Sequence, residues 1–99
     1  SKVAVTSGAT MAAEINNTET ELTISQMTAA GTLNLTPNAE MPQGARLQVR
    51  VSADGTNRVL TPGTGITGAA VTITASKSMC LSYYFDGNTY VHTGTTTLN

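Results

Sequence analysis

Apolar and polar residues alternate with a period of two along most of this chain, and most alternating runs stop at glycine, proline or an Asx-rich turn. The clearest run is Ala45–Ala53. Leu47, Val49, Val51 and Ala53 share one face, and Arg46, Gln48, Arg50 and Ser52 share the other. Shorter runs place Leu22 and Ile24 inward in Glu21–Ser25, Leu33 and Leu35 inward in Thr32–Thr36, and Val71 and Ile73 inward in Val71–Ala75. In Met79–Val91, Leu81, Tyr83 and Phe85 alternate with Cys80, Ser82 and Tyr84 before Asp86-Gly87-Asn88 turns the chain into a return strand at Tyr90 and Val91. A second Asp-Gly turn, Asp54-Gly55-Thr56-Asn57, reads as a similar hairpin between Ala45–Ala53 and Arg58–Thr61. Pro62–Ala69 is a Gly-rich loop anchored by Ile66. Lys2–Thr6 reads as a linker or a first strand, Thr10–Ile15 as one helical turn, and Gln26–Ala30 as a loop or helical turn.

Seven or eight short strands with turns at this spacing predict an all-β fold, a small antiparallel β-sandwich or barrel-like module. Its core is expected from the twelve inward residues Leu22, Ile24, Leu33, Leu35, Leu47, Val49, Val51, Val71, Ile73, Leu81, Tyr83 and Phe85. The chain divides into an N-terminal segment at 1–20, a β-module at 21–93 and a polar C-terminal tail at 94–99.

Composition narrows the classes of partner. Charged residues make up 11% of the 99 residues, and the net charge is −1. Threonine, serine, asparagine and glycine take the surface positions that lysine and glutamate usually fill, which suits strands and not helices. The basic residues Lys2, Arg46, Arg50, Arg58 and Lys77 are spread thinly. A nucleic-acid backbone needs clustered cations, so no nucleic-acid partner is expected. No apolar run approaches the roughly 20 residues that span a bilayer as a helix, so no membrane partner is expected either. A chain this short has a thin core, which oligomerisation would thicken.

Candidate chemistry is sparse. His92 is the only histidine and Cys80 the only cysteine, so the chain lacks the three or four ligands of a zinc site. Cys80 and His92 fall on neighbouring strands of one hairpin, but Cys80 sits in a strand, away from any helix N-terminus that would activate it. Glu19 and Glu21 share a strand face without the walls of a sugar cleft and read as solvated edge charges. Asp54 and Asp86 precede glycines, where their carboxylates can bond turn amides. Pro62–Gly68 has the glycines of a phosphate loop but not the lysine or the helix that complete one. No catalytic residue, no metal site and no cofactor site is expected, and the chain reads as a non-enzyme. The patch most suited to an interface or a ligand is Tyr84, Asn88, Tyr90 and His92 around the second turn, where exposed aromatics would meet polar groups.

From Glu21 to Val91 the succession of motifs is distinctive. An aliphatic strand leads to Thr-Leu-Asn-Leu-Thr, then to Gly-Ala-Arg-Leu-Gln-Val-Arg-Val-Ser-Ala-Asp-Gly and Arg-Val-Leu-Thr-Pro-Gly-Thr-Gly. A Thr strand follows, and the closing motif is Tyr84-Phe85-Asp86-Gly87-Asn88-Thr89-Tyr90, with Tyr90 where a tryptophan is often found. This order resembles the small β-modules of tailed-bacteriophage fibres, head fibres and minor virion structural proteins. The resemblance implies a virion surface protein, a fibre, head-fibre or capsid-decoration module. It implies a homotrimer in contact with other virion proteins. The alternative on the same kind of appendage is a host-attachment module that binds a receptor or a host-surface glycan.

Overall fold

The computed structural model describes residues 1–98. Ten strands form two sheets: β1 (Lys2–Val5), β2 (Thr10–Ile15), β3 (Glu19–Ile24), β4 (Gly31–Pro37), β5 (Arg46–Ser52), β6 (Arg58–Pro62), β7 (Ile66–Thr67), β8 (Val71–Ile73), β9 (Ser78–Phe85) and β10 (Tyr90–Thr97). The larger sheet runs β1-β3-β5-β9-β10-β7 and the smaller β2-β4-β6-β8.

The chain alternates between the two sheets at every step from β1 to β6, and strands two apart in sequence pair in parallel. Each consecutive pair, β1–β2, β3–β4 and β5–β6, is therefore one rung of a β-solenoid. The chain then reverses, and β8 and β9 lay a fourth rung antiparallel on β6 and β5. The β9–β10 hairpin extends the larger sheet. The all-β expectation holds, but the antiparallel sandwich or barrel is corrected to a solenoid of about four turns.

The physical reason lies in what alternation encodes. A period of two fixes which face of a strand is buried, but not the direction or identity of its neighbour. The Asp54-Gly55 turn shows the difference. β5 and β6 lie in different sheets, so this turn is a rung corner and not a hairpin. Its backbone is bonded to the corners on both sides: Asp54 N donates to Met27 O at 3.1 Å, and Asp54 O accepts from Ser76 N at 2.7 Å. Similar bonds stitch the earlier corners, with Ser7 Oγ donating to Gln26 O at 2.8 Å and Ser25 Oγ accepting from Ser7 N at 2.8 Å. At the opposite edge, Asn38 Nδ2 donates to Asn16 Oδ1 at 3.4 Å. A solenoid has no hairpin ladder at its corners, so the Asp54, Ser7 and Ser25 bonds satisfy backbone that would otherwise be orphaned, and the Asn38–Asn16 bond ties two side chains.

The segment expected as a helical turn, Thr10–Ile15, is the full length of β2. It pairs with β4 from Thr10↔Thr32 to Ile15↔Pro37. Six residues cannot sustain an isolated helix, and here period two buries Met11 and Ile15 and half-buries Ala13. β1 occupies the first rung, and β10 carries residues 94–97 of the segment set apart as a polar tail; Asn99 lies outside the described residues.

Inward side chains stack rung upon rung. Leu22, Val49 and Leu81 are successive partners across the larger sheet, with half-buried Val3 beginning the column. Leu47 and Tyr83 form a second column, and Met11 with Leu33 a third in the smaller sheet. Eleven of the twelve expected core residues are buried and Val71 is half-buried against them. Met11, Ile15, Met27, Met79 and Tyr90 join them.

Candidate functional site

The structure disperses the expected patch of Tyr84, Asn88, Tyr90 and His92. Tyr90 is completely buried, its ring 4.9 Å from that of Phe85. His92 is half-buried on the same inner face, 5.3 Å from the Tyr83 ring. Asn88 lies in the β9–β10 turn, where its amide donates to Asp86 Oδ1 at 2.8 Å. Tyr84 alone points outward from the larger sheet, 37% exposed. Asp86 also accepts from Thr89 N at 2.8 Å, and these two amides hold its carboxyl below the usual carboxylate range. Asp54 is held low first by the Arg58 guanidinium, which meets both its oxygens at 2.9 Å, and also by the Thr56 amide. Both aspartates therefore act as turn caps, as their spacing suggested. Cys80 and His92 do not meet as a pair. Cys80 is opposite Thr96, on the outer face, whereas His92 is opposite Tyr83 on the inner one.

The candidate surface is the outer face of the larger sheet, which carries two depressions. Strand register sets its side chains in rows. Glu19, Arg46, Tyr84 and Val91 are successive neighbours across β3, β5, β9 and β10. Lys2, Glu21, Gln48, Ser82 and Gly94 form the next row. Arg46 and Gln48 make a ridge between two depressions. One, of about 450 Å³, lies on the β1 side among Lys2, Glu19 and Glu21. The other, of about 300 Å³, lies between the ridge and Ser82, Tyr84 and Thr93.

This second depression is shaped by a β-bulge. The β9–β10 register shifts between His92 and Gly94, so Thr93 is the extra residue. Thr93 Oγ1 donates to Ser82 O at 3.1 Å, and His92 Nε2 lies 2.9 Å from both Gly94 O and Thr95 Oγ1. The bulge is thus built by side chains, and it sets side-chain-free Gly94 opposite Ser82. Of this groove, only Tyr84 stood among the residues expected from sequence. Arg46, Gln48 and Ser82 were legible as an outward face, but their adjacency depends on which strands pair. Gly94 within a threonine run was the one visible sign of a bulge.

Among the described residues no three of His, Cys, Asp and Glu come together in a way that could hold a metal ion. Among the described residues no helix is long and apolar enough to cross a membrane. Comparison of the chain with protein-family models, with curated proteins and with solved structures finds no match.

Proposed function

We propose that this chain is a non-enzymatic structural module of a bacteriophage virion, a fibre or head-fibre segment on the particle surface. The observation that carries the reading is the solenoid itself. Stacked parallel rungs make a stiff scaffold 39 × 23 × 23 Å in extent, in which polar chain is spent on corners. The groups that could do chemistry already hold structural positions. Asp54 and Asp86 cap turns, and His92 braces the bulge. The motif order from Glu21 to Val91, with its similarity to phage fibre modules, supplies the virion setting.

The proposal includes assembly as a homotrimer beside other virion proteins. Light scattering after size exclusion then gives three times the 10.2 kDa chain mass. Antibody raised against the chain should decorate purified particles of the encoding phage at regular surface positions in electron micrographs. Particles that carry no label and yield no peptide of this chain in mass spectrometry would refute the virion role.

A further inference from the structure

We propose that the groove bounded by Arg46, Gln48, Ser82, Tyr84 and Thr93 binds a saccharide. The groove's 300 Å³ is at the lower end of ligand-site volumes and matches a short segment of a chain ligand. A sugar ring offers an apolar C–H face and a rim of hydroxyls that donate and accept. Tyr84 presents a half-open aromatic face on an otherwise polar sheet. Its register neighbour Arg46 sets a guanidinium alongside, and Gln48 and Ser82, paired in the next row, each offer a donor and an acceptor. Thr93, turned outward by the bulge, adds a further hydroxyl on the far side.

Charge argues against other ligands. The groove holds one cation, and Glu19 and Glu21 lie just across the ridge, so a polyanion finds no cluster to bind. Its other apolar lining residues, Leu47 and Tyr83, are buried with the core, which leaves Tyr84 as its exposed apolar surface.

Gly94 sits beside this groove, next to Thr93 and opposite Ser82. Its backbone does not lie in the left-handed region, and a Cβ added there would meet no atom within 4 Å. Neither strain nor packing requires glycine at this place. What glycine does is leave the face bare opposite Ser82. The inference needs only this geometry and stands or falls apart from the virion role.

The test is an amide NMR titration of the full chain with soluble hexasaccharides of β-1,4-linked glucose, α-1,4-linked glucose and β-1,4-linked N-acetylglucosamine, and with O-polysaccharide released from bacterial lipopolysaccharide. At least one probe at millimolar concentration should shift the amides of Arg46, Ser82, Thr93 and Gly94. Gln48→Ala, at an exposed position in the groove lining, should keep the wild-type melting temperature and weaken the response. Tyr84→Ala, at an exposed position, should keep the fold and weaken binding by about tenfold. No response to any probe, shifts confined to another surface, or Gln48→Ala and Tyr84→Ala both binding like wild type would each overturn the inference.

Discussion

Replacing Tyr90 by phenylalanine should make this protein more stable. The Tyr90 ring is fully buried, packed on Phe85, and its amide donates to Gly65 O at 2.8 Å. Its hydroxyl is also buried, and it makes no hydrogen bond among the described residues. A dehydrated polar group without a partner costs about 1–3 kcal/mol. Phenylalanine keeps the ring and the amide bond and removes only the oxygen. The small void left behind costs about 0.3 kcal/mol at the usual price of cavity volume. The net gain is about 1–2 kcal/mol, which for a domain of this size raises the melting temperature by roughly 5–10 °C. Tyr90→Ala, by contrast, removes the ring and should cost about 3–5 kcal/mol. Thermal and urea denaturation followed by circular dichroism would measure both variants. Destabilisation of Tyr90→Phe by about 1 kcal/mol would mean that the hydroxyl is hydrogen-bonded in the folded protein, and the reasoning would fail.

Leu81→Ala, at the end of the column that runs from Val3 through Leu22 and Val49, should cost about 2–5 kcal/mol in urea denaturation, because a stacked rung cannot close over the hole. Gly65→Ala should also destabilise by about 2 kcal/mol. Gly65 has φ +81°, and a Cβ there would collide with the Leu35 carbonyl. At high pH, burial pushes the Tyr83 hydroxyl up to about 12, so the unfolded chain ionises first. Stability should hold below pH 10 and then fall by about 2–3 kcal/mol as pH rises through 12. Denaturation midpoints that are flat across this range would refute the burial of Tyr83.

Two Asp-Gly motifs show where sequence reading stopped. Val51–Val59 and Tyr83–Val91 share strand, Asp-Gly, two polar residues, a large residue and valine. The second forms the expected hairpin, closed locally by Asp86 N donating to Thr89 O at 3.1 Å. The first forms a corner, because its backbone partners lie at Met27 and Ser76, far away in sequence. Local turn chemistry is the same in both, and long-range pairing decides. The core faces were legible because alternation is local: Leu47, Val49 and Val51 are inward as read. Parallel stacking was not, because the rungs differ in length. Partners are 19 residues apart between β1 and β3 (Lys2↔Glu21), but 27 between β3 and β5 (Glu19↔Arg46), so no fixed repeat marks them. The groove was lost for the same reason. Arg46 and Tyr84 become neighbours only once β5 pairs with β9.

The reversal after β6 gives the two ends of the solenoid different chemistry. At the first rung, β1 and β2 each have one neighbour, and both run parallel to it. Their outer backbone groups are therefore set for another rung of the same kind, with only Lys2 and Glu14 as edge charges to discourage pairing. At the other end the edges are β7, two residues long, and β8, three residues long, and Gly94 and the bulge break the regular ladder of β10. Such short and irregular edges are poor templates for strand addition. A scaffold of this kind is polar in the directional sense. It can be continued or docked by strand pairing at one end only, while the outer face of the larger sheet stays clear of that contact beyond β3. The groove beside Tyr84 lies on the β5–β9–β10 side of that face, farther from the open rung than the depression lined by Lys2. Strand pairing at the first rung and ligand contact at the proposed groove therefore do not compete for the same surface.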